Sequence, residues 1–225
     1  MGHWPRIIWK NWGLQRKKIH IAINTVDTDY FREETNSARR KVIKKDVFTF
    51  AYLGYLVPRK NVYKVIEASS ELLKKRHDFR ILIIGDGISK AALENEVEKR
   101  KLKEVVQFKG YLQKNELPAV LAETDILLFQ TNFDIWGLVL NEAMAAGVAC
   151  LASHNAGAVY DLIEEGENGF INDFSDLKKT VDKMEWMVQN KELMEQFGKK
   201  AARTITEKAS LKNSVSGFMK AIKNS

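Results

Sequence analysis

The sequence predicts an α/β fold: a doubly wound parallel sheet of about six strands, covered on both faces, with further helices at its C-terminal end. Three observations carry this. Short, nearly continuous apolar runs recur along the chain, helical periodicity fills the gaps between them, and from about residue 175 onward the periodicity is helical alone. A strand buried on both faces reads as an unbroken apolar run, and parallel neighbours need a crossover long enough for a helix.

The first run is Val47 to Leu53 (VFTFAYL), rich in aromatic and β-branched residues and ended by Gly54. Val62, Val65, Ile66, Ser69, Leu72 and Leu73 follow at i, i+3, i+4, i+7 spacing, with Lys64, Glu71 and Lys74 on the other face, and predict the first crossover helix. Arg80 to Ile84 is the second strand, ended by Gly85. Val105 to Phe108, Ile126 to Phe129, Val148 to Leu151 and Gly169 to Ile171 continue the series. Ala91 to Arg100, Glu116 to Ala122, Leu138 to Ala146 and Ala158 to Glu164 supply the helices between them. Residues 175–188, 191–206 and 210–223 close the chain as helices, and no linker rich in Gly, Pro or Ser divides the body.

Composition excludes several classes. With 225 residues, 45% hydrophobic and 29% charged, the chain is ordinary globular protein rather than disordered or fibrous. Its one cysteine, Cys150, sits inside the apolar run Val148 to Ala152 and reads as a core thiol of a reducing compartment. The start, Met1-Gly2-His3-Trp4-Pro5-Arg6, lacks the apolar core of a signal peptide, and no run approaches the length of a membrane-spanning helix, so a cytoplasmic protein is expected. The net charge of +7 is local: residues 1–45 hold 11 Lys/Arg against 4 Asp/Glu, whereas residues 46–225 are balanced at 25 against 25. A nucleic-acid binder would carry its basic face through the folded body, so no nucleic-acid partner is expected. The basic segment, interleaved with Trp4, Trp9 and Trp12, instead permits a peripheral contact with anionic lipid or marks a surface that a neighbour covers.

In open α/β sheets ligands sit beyond the carboxyl ends of the strands, so chemistry is sought there. After the first strand, Gly54-Tyr55-Leu56-Val57-Pro58-Arg59-Lys60 places two cations at the start of a helix. Cations oppose the macrodipole at that end, which points to an anion lying with them. After the second, Gly85-Asp86-Gly87 opens a tight turn, but Lys90 stands where a dinucleotide fingerprint needs its third glycine. After the fourth comes the segment Gln130 to Gly147. Gly137 precedes a helix there, so the N–H groups of Gly137, Leu138 and Val139 are free to face a phosphate. Asp134 and Glu142 flank the same helix start, and a carboxylate can accept two neighbouring hydroxyls of a sugar at once. The four histidines, at 3, 20, 77 and 154, show no metal-ligand spacing, although His154 also follows a strand.

These segments resemble the donor-nucleotide half of the family-4 glycosyltransferases, which have a GT-B fold. The family's E-x7-E signature, followed by EAMA-x-G, is similar to Asp134 to Glu142 and then Ala143-Met144-Ala145-Ala146-Gly147. The resemblance extends through Asn24-Thr25-Val26-Asp27-Thr28, Gly54 to Lys60, Ile84 to Gly87, Phe108 to Tyr111, Asn155 to Gly157 and Gly166 to Phe170. It implies a Rossmann-like C-terminal half of a GT-B fold. Residues 46–225 would be the nucleotide-sugar binding domain, and residues 1–45 a remnant of, or linker from, an N-terminal acceptor domain that this chain lacks.

The resemblance implies the following roles. Lys60, with Arg59, would hold the donor diphosphate together with the backbone at Gly137, Leu138 and Val139. Glu142 would accept the ribose hydroxyls, Asp134 would face the transferred sugar, and Tyr111 and Leu112 would border the base, with Gly85 and Trp136 also lining the site. Asp134 and Lys60 would be the catalytic pair. The implied reaction is metal-independent hexose transfer, with retention, from a UDP- or GDP-sugar to a glycan or lipid-linked acceptor, and no cofactor or metal is expected. The chain departs from the family where Tyr55 replaces a common arginine and where the first acidic residue is the shorter Asp134. Rival readings are a non-catalytic nucleotide-sugar module or donor subunit, a two-domain epimerase, and a Rossmann oxidoreductase built on Gly85-Asp86-Gly87.

Overall fold

The computed structural model describes residues 20–41 and 47–223. Trp4, Trp9 and Trp12, with the membrane contact read from them, lie outside the described residues, as do residues 1–19 and 42–45 of the segment read as a domain remnant.

In chain order the elements are α1 (Thr28–Arg39), β1 (Phe48–Leu53), a single 3-10 turn (Pro58–Lys60), α2 (Tyr63–Leu73), β2 (Phe79–Ile84), α3 (Lys90–Lys99) and β3 (Val106–Gly110). They continue as α4 (Leu117–Glu123), β4 (Ile126–Phe129), α5 (Leu138–Ala145), β5 (Ala149–Ser153), α6 (Val159–Leu162) and β6 (Gly169–Asn172). Three helices, α7 (Leu177–Gln189), α8 (Lys191–Ala209) and α9 (Leu211–Lys223), end the described chain. All six strands are parallel, in the order β3-β2-β1-β4-β5-β6. After β3 the chain crosses back over β2 and β1 to place β4 on the far side of β1, so the strand order reverses between β1 and β4. A crevice opens at such a switch point, beyond the carboxyl ends of the two strands.

Alternation along the strands divides the core into two layers. Phe48, Phe50 and Tyr52 of β1, with Ile81 and Ile83 of β2, pack beneath α2 and α7; Ala51, Leu53, Leu82, Leu127, Phe129 and Cys150 face α1, α5 and α6. Phe50 pairs in register with Ile81 on one side and Ile126 on the other, so β1, beside β4, lies in the middle of the sheet. Each large side chain removed from water here contributes about 2 kcal/mol. Cys150 is fully buried and burial pushes its thiol pKa up, which makes it a packing residue.

The structure differs from the sequence reading at α1. Residues 28–39 fall within the segment set apart as 1–45, yet they form a helix packed on α4 and α5, with Phe31 fully buried and Arg39 donating to the Gly147 carbonyl at 3.3 Å. The signal was faint because the buried stripe is Thr28, Phe31 and Thr35, one aromatic and two threonines on an otherwise charged helix. The folded body therefore includes this helix. Its start is tied down where Asp27 caps Tyr30 N–H at 3.0 Å and Thr25 bonds the Ala209 carbonyl.

Candidate active site

The exits of the first three strands are laced together by backbone. Gly54 N–H donates to Ile84 O at 3.0 Å, Gly85 N–H to Gly110 O at 2.8 Å, and Leu56 N–H to Asp86 O at 2.9 Å. Gly85 is obligatory here: at φ +143°, a Cβ would stand 1.9 Å from the Gly54 carbonyl oxygen. Val57 then enters the 3-10 turn extended, and Pro58 fixes its first residue. That turn delivers Arg59 and Lys60 to the switch point between β1 and β4.

The β4 exit is held by both neighbours. Asn132 N–H donates to Arg59 O at 2.9 Å, and Ser153 Oγ donates to Thr131 O at 2.7 Å. Further on, Asp134 N–H donates to Asn155 O at 3.1 Å and Gly157 N–H to Asp134 O at 3.0 Å, so the loop runs as a short parallel bridge beside the β5 exit. This frame holds the Asp134 carboxylate against Lys60.

Lys60 is only 7% exposed, a rare position for a lysine, and its ammonium ion-pairs with Asp134 Oδ2 while lying 5.2 Å from the centre of the Phe129 ring. Arg59 Nη1 donates to Phe133 O at 2.9 Å and stands 3.9 Å from the same Asp134 oxygen. The other carboxylate oxygen of Asp134 accepts the Trp136 N–H at 3.2 Å. Two cations thus converge on one carboxylate in a half-buried place. Below them lies the buried Tyr52 hydroxyl, which donates to Tyr55 O at 3.2 Å and whose pKa burial pushes up.

Gly137 begins α5 at φ +102°, and the Phe129 ring occupies the space a Cβ would need, 2.4 Å away. No side chain caps this helix, and the N–H groups of Gly137, Leu138 and Val139 have no acceptor among the described residues. They form an anion-binding end of the helix beside Lys60. Glu142 follows on the same helix, half-buried, its carboxyl pKa pushed up to about 7 by burial while Lys114 draws it back.

The predicted residues therefore fall into three groups. Arg59, Lys60, Asp134 and Trp136 meet directly, and Gly137, Leu138 and Val139 continue from them. Glu142 lies on the same helix, without a hydrogen bond to that cluster. Gly85 is part of the laced exits, while exposed Tyr111 and half-buried Leu112 follow β3 at the same edge of the sheet. Tyr55 is 67% exposed, and His154 is tied to the Asn172 carbonyl at 3.3 Å. Sequence reasoning missed Phe129, Lys114 and Asn141. Only Asn141 carried a signal, as an amide between the apolar residues of α5. Among the described residues no group of three or more His, Cys, Asp or Glu is placed to hold a metal ion, and no helix is long and apolar enough to cross a membrane.

A cavity of about 910 Å³ opens at the opposite edge, by the amino ends of the strands, where Arg39, Arg80, Arg203, Asp125 and Glu195 are among its lining. It contains none of the residues above. The fold places ligands at the carboxyl edge, and the convergent charges are there.

The chain is similar to known proteins in sequence and in fold. The family model of the glycosyl transferases group 1 matches residues 33–204. An alpha-D-kanosaminyltransferase of Streptomyces kanamyceticus is 26% identical over 88% of this chain and 52% of its own length. The sulfoquinovosyl transferase SQD2 of Arabidopsis thaliana is 34% identical over 81% of this chain and 35% of its own. The chain spans about half, or less, of these relatives. Among solved structures, the C-terminal domain of a glycosyl transferase group 1 family protein (LpcC) from Francisella tularensis superposes with a TM-score of 0.69 at 25% identity, covering 83% of this chain and 99% of that one. Anabaena Alr3699/HepE in complex with UDP superposes with a TM-score of 0.82 at 16% identity over 98% of this chain and 61% of its own, a likeness of fold. The sheet is accordingly the Rossmann-like type found in GT-B glycosyltransferases, and the chain belongs to the glycosyl transferases group 1 family.

Proposed function

We propose that this chain is the donor-binding half of a retaining, metal-independent hexosyltransferase that uses a UDP- or GDP-sugar. The observation that carries the reading is the buried Lys60 ammonium beside the free N–H groups of Gly137 to Val139, at the one crevice the topology provides. A diphosphate fits that arrangement: it would take over Lys60 and Arg59 from Asp134 and accept from the helix start. Asp134, relieved of its cations, would turn to the hydroxyls of the sugar. Glu142 would accept the ribose hydroxyls, and Tyr111 and Leu112 would border the base. UDP in the Alr3699/HepE structure is consistent with a uridine donor.

The chemistry follows from the charges. The bond between the anomeric carbon and the diphosphate oxygen breaks with its electron pair remaining on the oxygen, where Lys60 and the helix start stabilise the new charge. The acceptor hydroxyl forms the new bond on the same face, and its proton passes to the departing phosphate oxygen. The acceptor would be a glycan or a lipid-linked sugar, held by an acceptor-binding domain facing this crevice. Calorimetric titration with UDP, GDP and ADP, with and without Mg2+, tests the donor reading. Selective binding, unaffected by the metal and abolished by Glu142→Ala, is the result expected; binding of none of them overturns it.

A second reading is a nucleotide-sugar module, or a donor subunit that works with a separate acceptor-binding chain. Turnover on adding such a chain distinguishes a donor subunit from a module that only binds.

A further inference from the structure

Asn141 is fully buried on α5, in contact with the layer that holds Leu140, Ala143 and Met144. An amide in such a place is costly unless both its ends are paired. Both are. Trp136 Nε1 donates to Asn141 Oδ1 at 2.9 Å, and Asn141 Nδ2 donates to the Asn24 carbonyl at 3.0 Å. The orientation of the amide is fixed by its partners, since an indole N–H can only donate and a carbonyl can only accept.

The chain of bonds does not stop there. The backbone N–H of Trp136 donates to Asp134 Oδ1, and Trp136 immediately precedes the helix-starting Gly137. A locked indole therefore fixes the short loop 134–137 at both ends: the carboxylate facing Lys60 and the free N–H groups of α5. At its other end the chain reaches segment 20–27, which Thr25 also pins to the end of α8 through the Ala209 carbonyl. Of the side chains that fit this volume, leucine leaves both the indole and the Asn24 carbonyl unpaired, and aspartate can serve only the indole.

We infer that Asn141 is a positioning residue, which locks the Trp136 indole to segment 20–27 and thereby holds Asp134 and the helix start in register for the donor. The inference rests on the donor-site reading above. The cost of removing one partner from a buried pair exceeds that of removing both, which sets the test.

Binding of UDP and GDP is measured for the parent chain, Asn141→Leu, Trp136→Phe and the double variant. Separately, the emission of Trp136 is followed without ligand after replacing Trp4, Trp9, Trp12 and Trp186 with Phe. Asn141→Leu is expected to weaken binding about 5- to 30-fold, the factor that corresponds to one or two kcal/mol. The loss of affinity in the double variant should be smaller than the two single losses combined, and Trp136 emission should shift and become more quenchable in Asn141→Leu. Asn141→Asp keeps the indole acceptor and shape, so it should preserve the emission with a smaller loss of affinity; it serves if the leucine variant does not fold. Parental affinity in Asn141→Leu, independent effects in the double variant, or unchanged emission overturns the inference. A parent that binds neither nucleotide refutes the donor reading instead, and the emission measurement, which needs no ligand, still decides the role of Asn141.

Discussion

Lys60 and Asp134 meet as an ion pair across 74 positions of sequence, and only the adjacency of β1 and β4 brings them together. The pair closes the place where the proposed diphosphate would sit. Replacing Lys60 by alanine removes a charge-assisted bond to that ligand and leaves Asp134 with Arg59 alone. Nucleoside diphosphate affinity should fall by about 1.5–3 kcal/mol, roughly 10- to 150-fold, in calorimetric titration. Parental affinity would remove Lys60 from the site.

Arg59 offers a graded comparison. Its side chain is 55% exposed against 9% for Lys60, so water and salt screen it more. Arg59→Ala should cost at most about 1 kcal/mol of binding, and that loss should shrink as salt is raised from 50 to about 500 mM while the Lys60 effect persists. This also bears on Tyr55, which stands where the family commonly has an arginine. If Arg59→Ala matched Lys60→Ala at every salt concentration, Arg59 would be an equal ligand rather than a screened auxiliary.

Gly137 joins the fold to the site. Its φ of +102° and the Phe129 ring 2.4 Å from any Cβ make alanine a double fault, backbone strain plus a clash with a core aromatic. Gly137→Ala should destabilise the domain by about 2–4 kcal/mol in urea unfolding. Gly110 is the control: it has φ +71° but nothing within 4 Å of a Cβ, so Gly110→Ala should cost only about 1 kcal/mol of strain. Equal losses would mean the ring moves aside freely.

How far these features were legible in the sequence depends on the range of their causes. The six strands were readable because each is a local apolar run, and β4 begins and ends where the run Ile126 to Phe129 does. Lys60, Asp134 and Gly137 were readable because each follows a strand, where the fold class itself places ligands. The α1 helix was nearly silent, since one phenylalanine on a charged helix gives little periodic signal and its burial is decided by α4 and α5. Phe129 read as core, and it is core; its second role, lying against Lys60 and filling the space beside Gly137, exists only once distant segments meet. Lys114 is of the same kind, an exposed lysine whose influence on Glu142 requires the β3 exit to lie over α5.

Glu142 makes the site sensitive to pH. Burial raises its carboxyl pKa to about 7, above the ordinary 4.5, with Lys114 opposing the shift. Between those two values the folded chain holds a proton that the unfolded chain has lost, so stability is full below about 4.5 and declines as pH rises through about 7. By linkage the decline amounts to at most about 3 kcal/mol. Glu142→Gln removes it: the variant should be more stable than the parent at pH 8 and nearly equal to it at pH 4.5, measured by urea unfolding at each pH. Binding should run the other way. A protonated carboxyl offers the ribose hydroxyls fewer acceptors, so nucleotide affinity in the parent should rise between pH 6 and 8, whereas Glu142→Gln should bind weakly and without that slope. A parent whose affinity and stability are both flat across this range would place the Glu142 carboxylate in contact with water rather than with the ligand.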